Sequence, residues 1–108
     1  MISFKELEYK DFELCYEIDS KTICLWTRNQ WKLEFNKRGV KVVAILLRKE
    51  IIGIYVVQII IDEAQINFFS IKQKYRRKGY GSFLMRNLIK KCEKLSVKRV
   101  LLEVSDTN

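Results

Sequence analysis

The stretch Tyr75–Leu95, YRRKGYGSFLMRNLIKKCEKL, sets Arg76, Arg77 and Lys78 directly before Gly79 and Gly81 and then passes into an amphipathic pattern. The chemistry this suits is the holding of an anion. The first amides of a helix lack internal partners and carry partial positive charge, so a phosphate placed there gains several hydrogen bonds and a favourable field. Glycine lets the main chain come close, and flanking cations add charge-assisted contacts. Read this way, RRKGYG is a pyrophosphate cradle; the alternative on residues alone is a solvated basic turn. Two other phosphate loops do not fit. A P-loop needs Lys-Ser/Thr after its last glycine, where Ser82-Phe83 stand, and a dinucleotide fingerprint needs a third glycine, where Leu84 stands.

The sequence contains no histidine, which removes Ser-His-Asp and Cys-His nucleophilic catalysis and leaves carboxylates, tyrosines, lysines or positioning alone to do chemistry. Cys15, Cys24 and Cys92 are odd in number and show no C-x-x-C spacing, so no metal site is expected. They read as reduced thiols of a cytoplasmic protein.

The elements that must position the cradle follow from hydrophobic period. ISFKELE, residues 2–8, alternates as a short strand, and Asp11 is suited to cap a helix carrying Phe12, Leu14, Cys15, Tyr16 and Ile18. Thr27 and Gln30 have the spacing of a capping box for a second helix, with Trp31 and Phe35 one turn apart and Gly39 as its stop. VKVVAILL and IIGIYVVQIII predict two long antiparallel strands joined at Arg48–Glu50. Asp62 and Glu63 make the next turn, and AQINFFSI is the fourth strand. Their near-continuous apolar runs predict cover on both faces. Leu84, Leu88, Cys92 and Leu95 mark a third helix from about Gly81, and KRVLLEV a fifth strand, parallel to the fourth through a right-handed crossover. The fold expected is one α/β domain over residues 1–108, a mixed, mostly antiparallel sheet flanked by helices and ending after the fifth strand.

The balance of charge narrows the partners without choosing one. Lysine and arginine number 21 against 13 acidic residues, a net charge of +8. An anionic partner is the first expectation, whether nucleic acid, a ribosomal surface, an acidic membrane or a phosphate-bearing cofactor, with a solvated charged surface as the plain alternative; Tyr75 and Tyr80 lying among cations support nucleic acid. No apolar run approaches the ~18 residues of a membrane span, and no secretory leader follows Met1.

FFSIKQKYRRKGYGSFLMRNLI with VKRVLLEVSDTN, and KDFELCYEIDSKTICLW towards the front, resemble the GNAT N-acetyltransferases, in particular their group acting on ribosomal-protein alanine N-termini. The resemblance implies acetyl-CoA as co-substrate and a protein N-terminus, of a ribosomal protein, as acceptor. It implies that Phe69, Ser70 and Ile71 offer main-chain groups to the pantetheine arm. Arg76, Arg77, Lys78, Gly79, Tyr80, Gly81 and Ser82 would wrap the pyrophosphate, and Asn108 would help hold the cofactor. Glu103 falls at the general base, and Trp26 at an aromatic of the acceptor-side loop. On its own, Glu103 reads equally as a strand-end carboxylate pairing with Lys98 or Arg99. The family pattern goes on past the fifth strand to a tyrosine that protonates the departing thiolate. With no counterpart to it before Asn108, the expectation is weak turnover, with an inert CoA-binding remnant or a basic RNA- or ribosome-binding module as the other readings. CLW, where relatives often carry a proline before the tryptophan, leaves the acceptor preference open.

Overall fold

Strands that are apolar on both faces need cover on both, and the chain supplies it from its two ends. The computed structural model describes residues 1–102. In chain order it comprises β1 (Ile2–Leu7), α1 (Phe12–Ser20), α2 (Arg28–Phe35), β2 (Val40–Leu47), β3 (Glu50–Ile60), β4 (Glu63–Ile71), α3 (Tyr80–Lys94) and β5 (Arg99–Leu102). The strands form one sheet in the order β1-β2-β3-β4-β5, antiparallel except for the parallel pair β4 and β5. The mixed, mostly antiparallel α/β architecture expected from the sequence is the one found.

α3 covers one face. Its Leu84, Leu88 and Cys92 are buried against Val43, Ile45, Tyr55, Val57, Ile66 and Ile71. Burying leucines of this kind contributes about 1.5–3 kcal/mol each. α1 and α2 cover the other face, where Cys15, Ile18 and Trp31 meet Val42, Ala44, Ile54, Val56 and Phe68. Burial raises the Cys15 thiol to about 12, with Asp11 and Asp19 adding to the effect, and burial also raises Cys92; Cys24 is exposed, and all three are free thiols.

Local signals held where their partners are close in sequence. Thr27 accepts from the Gln30 amide at 3.1 Å while the Gln30 side chain accepts from the Thr27 amide at 2.8 Å, completing the capping box of α2. Arg48 and Lys49 both adopt positive φ, 51° and 73°, as a tight hairpin turn demands. Other expectations shift. Asp11 precedes α1, but its carboxylate accepts from the Glu8 amide at 2.9 Å and so secures a 3-10 turn over Tyr9–Asp11. α2 ends at Phe35 with Asn36 as its cap, so Gly39 is not the stop of the helix. Gly39, at φ 80°, instead lies so close to the Ile59 carbonyl that a Cβ would collide with it. The turn before β4 falls on Ile61, at φ 56°, and Asp62, because Glu63 is already paired in the strand. Leu95 caps α3 and stays 46% exposed rather than joining the buried stripe.

β4 carries an irregularity that the sequence analysis did not foresee. Val56 pairs with Phe68 but Val57 pairs with Ile66, leaving Asn67 as an extra residue, a β-bulge. Consecutive strand residues normally point to opposite faces. Here Ile66 faces α3, Phe68 packs with Trp31, and Phe69 and Ile71 return to the α3 side. The bulge therefore resets which face each later residue of β4 meets.

The loop from α1 to α2 is tied down by Asp19, which is fully buried. Its carboxylate accepts from the amides of Leu25 and Trp26, both at 2.8 Å, and from Trp31 Nε1 at 2.9 Å. Fully satisfied, a buried carboxylate of this kind is stabilising; with partners that no longer match, it is costly. Asp19→Asn places an amide NH₂ against N–H donors, and we expect it to lower unfolding free energy by on the order of 3 kcal/mol. Urea denaturation of the two proteins checks this, and an unchanged midpoint would show that the loop is held by packing alone.

Candidate functional site

β4 delivers its last residues to the point where α3 begins. The Lys72 amide donates to the Ile52 carbonyl at 2.8 Å, so the strand is still paired with β3 there. Main-chain groups alternate in direction along a strand, which turns those of Ile71 and Phe69 away from β3. The Ile71 carbonyl is taken by Arg76 Nε at 2.9 Å. Arg76 thus braces the connection between β4 and α3 through one of its donors, a role that the sequence analysis did not assign to it.

A 3-10 turn over Gln73–Tyr75 then leads to Arg77, at φ 63°, and to Gly79, at φ 86°, which caps α3. A left-handed residue there favours glycine. A Cβ at Gly79 would meet no atom within 4 Å, so the residue is chosen for its backbone and not for lack of room. Gly81 lies above the end of β4, where an added Cβ would come 3.9 Å from Ile71 Cγ1 and otherwise face open space. The first turn of α3 contains no acidic residue, so its positive end is not neutralised within the helix.

A cavity of about 360 Å³ opens at this junction, lined by Ile23, Phe69, Ser70, Ile71, Tyr75, Arg76, Arg77 and Gly81. The structure thus brings Phe69, Ser70, Ile71, Arg76, Arg77 and Gly81 together around one space. Lys78, Gly79, Tyr80 and Ser82 occupy the adjoining start of α3 without lining it. Trp26 is near but separate. It is half-buried, packs edge-on against Trp31 at 4.7 Å and lies tilted against Phe68 at 5.3 Å, while Ile23 of the same loop reaches the cavity. Glu103 and Asn108 lie outside the described residues.

Sequence reasoning missed Ile23 and Tyr75 as lining residues. Tyr75 donates its hydroxyl to Glu50 at 2.9 Å, and this bond, helped by Lys72 nearby, holds the Glu50 carboxyl below its ordinary range. The Tyr75 and Tyr80 rings meet edge to face at 6.2 Å. Ser70 adds a different observation. It is 6% exposed, and its Oγ is the buried side-chain polar atom left without a hydrogen-bond partner among the described residues. A buried hydroxyl with no partner beside a cavity is what a site looks like when the ligand supplies the missing bond.

Chemically, the site offers unpaired amides and positive charge at one end. At the other it offers a strand with outward main-chain groups and an apolar wall from Phe69, Ile71 and Ile23. A ligand that fits has an anionic head and, beside the apolar wall, groups that can hydrogen-bond to the main chain of a strand. Among the described residues, no helix is long and apolar enough to cross a membrane.

Comparison with known proteins converges on the same description. Residues 3–108 match the sequence model of the acetyltransferase (GNAT) family. The [ribosomal protein bS18]-alanine N-acetyltransferase of Haemophilus influenzae is 29% identical over 111 residues, spanning 100% of this chain and 74% of that protein. The crystal structure of the ribosomal-protein-S18-alanine N-acetyltransferase from Escherichia coli superposes with a TM-score of 0.89 at 23% identity, covering 100% of this chain and 70% of that one. A Thermoplasma acidophilum N-acetyltransferase solved in complex with coenzyme A superposes with a TM-score of 0.81 at 16% identity, over 100% and 82% of the two chains. The family match over nearly the whole sequence agrees with the helix start, the strand end and the cavity between them: the chain belongs to the acetyltransferase (GNAT) family.

Proposed function

We propose that residues 1–108 work as one acetyltransferase domain that moves an acetyl group from acetyl-CoA to the N-terminal amine of a protein, a ribosomal protein with N-terminal alanine. The observation that carries the reading is the start of α3, where Gly79 caps the helix in a left-handed conformation and an uncrowded Gly81 stands over Ile71 at the end of β4. The similarity to proteins named as alanine N-acetyltransferases supports the choice of acceptor.

In this reading, the amides at the start of α3, with Arg77 and Lys78, hold the pyrophosphate, and Tyr80 and Ser82 complete its surroundings. Outward main-chain groups of Phe69 and Ile71 orient the arm, and Ser70 contributes its free hydroxyl. Acetyl-CoA supplies an acetyl group activated as a thioester. The amine attacks in its neutral form, the new C–N bond replaces the C–S bond, sulfur leaves as thiolate, and Glu103 receives the proton that the amine gives up. A protein α-amine, with pKa ~7.7–8, needs far less help than a lysine at ~10.4, so one carboxylate suffices for that proton. Trp26 and Ile23 shape the acceptor side, and Asn108 is assigned to the cofactor.

The reading as an RNA-binding module draws on the same basic segment. Its aromatic platform, though, would need Tyr75 and Tyr80 to present their faces, and here each ring is packed on the other and against the α3-side core. Acetyl-CoA is therefore the better match.

Three outcomes test the proposal. CoA should raise the melting temperature of the protein where pantetheine, lacking the pyrophosphate, does not. Gly81→Val should keep the fold yet weaken CoA binding by at least roughly tenfold, about 1.4 kcal/mol, because its side chain enters the phosphate space. Equal CoA affinity in the variant would refute the cradle. Glu103→Gln should lower the rate of CoA release with an alanine-ended ribosomal peptide by about 10²-fold or more at neutral pH while leaving CoA affinity unchanged. An unchanged rate would remove Glu103 from the chemistry.

A further inference from the structure

Glu34 and Asn67 are 33 residues apart in sequence and meet in the structure, where Asn67 Nδ2 donates to Glu34 Oε2 at 2.7 Å. Glu34 lies near the end of α2 and is only 4% exposed, an unusual position for a carboxylate. Its other oxygen is paired with Lys37 Nζ at 2.8 Å, so both oxygens have partners. Asn67 is the extra residue of the β4 bulge. The hydrogen bond thus joins a helix of one layer to the place in the sheet where the alternation of β4 is reset.

That reset decides what the end of β4 offers. With the bulge, the main-chain groups of Phe69 and Ile71 turn away from β3 and their side chains face α3. A strand that ran on regularly from Ile66 would exchange these directions, because a slip of one residue moves every side chain to the opposite face. Phe68 and Phe69 could not then keep their places beside Trp26 and α3 respectively. A polar side chain at Asn67, engaged by a fixed and buried carboxylate, favours the bulged arrangement over the regular one, since a regular strand would take the amide away from its acceptor.

We propose that Glu34 and Asn67 are a positioning pair that fixes the main-chain phase of the end of β4, and with it the affinity for the pantetheine arm of coenzyme A. Neither residue lines the cavity; both act through Phe69 and Ile71. The inference rests on the reading of β4 as the strand that receives that arm.

The test compares three proteins by calorimetric titration with CoA and with adenosine 3′,5′-bisphosphate, which carries the nucleotide portion without the arm. Glu34→Gln keeps an acceptor for Asn67 and should bind both ligands within about twofold of the parent. The double variant Glu34→Leu with Asn67→Val replaces both partners by apolar groups without large excess volume, a change that polar pairs taken out of water often tolerate in stability. It should lose CoA affinity by roughly tenfold or more, about 1.4 kcal/mol, with affinity for the bisphosphate unchanged. A folded double variant that binds CoA as the parent does, one that loses both ligands equally, or a Glu34→Gln protein as impaired as the double, would each overturn the proposal. Should the double variant not fold, Asn67→Ala is judged by the same ratio of affinities. A parent chain that fails to bind CoA refutes the cofactor reading and this inference with it. A parent that binds, beside a double variant that binds equally well, refutes the positioning pair alone.

Discussion

The apolar stripe of α3 aims the rest of the molecule. Leu84 and Leu88 have no exposed surface, and their seat against Val43, Ile45, Tyr55 and Val57 fixes the axis of the helix across the sheet. Asn87, one residue before Leu88, accepts from the Tyr55 hydroxyl at 2.7 Å, which adds a directional bond to a contact that packing alone would leave free to slide. With the axis held, the first turn of the helix has one place to be, above Ile71. The crossover to a parallel β5 then follows from chain connectivity and the twist of the sheet.

Charge in this protein is divided by depth. Asp19 and Glu34, the buried acids among the described residues, hold a loop and a helix in place: Asp19 meets N–H donors, and Glu34 divides its oxygens between Asn67 and the ammonium of Lys37. The acids that do meet cations nearer the surface, such as Glu13 with Arg28 and Glu6 with Lys91, form exposed pairs worth little in stability. The excess of 8 positive charges is therefore carried largely by side chains that water can reach. Arg76 is exposed as well, yet it has a second role, since a cation that reads as a phosphate contact also spends a donor on the carbonyl of Ile71.

What could be read from the sequence was whatever depends on near neighbours. The Thr27 and Gln30 cap, the β2–β3 hairpin, the amphipathic face of α3 and the glycine-marked start of that helix are all written within a few residues. So were the mixed sheet and most of the cavity wall, through Phe69, Ser70, Ile71, Arg76, Arg77 and Gly81. The features that were not legible depend on distant partners. Gly39 is required by Ile59, Asp19 by donors as far along as Trp31, and Asn67 by Glu34. One of these left a trace: Phe68 and Phe69 are adjacent and both apolar, which breaks the two-residue period of β4 at the bulge. The interruption is visible in the letters, but its cause lies in α2.

The strand order carries a consequence for how the protein is made. Each of β2, β3, β4 and β5 lies beside the strand synthesised before it, so a nascent chain leaving the ribosome can zip the sheet in the order in which it appears. Only the last step waits, because β5 joins alongside β4 in the same direction and needs the whole of α3 to be out first. Until then one flank of β4, the same strand that shapes the cavity, emerges without its neighbour, and that interval is when a growing polypeptide of this topology is most open to errant pairing.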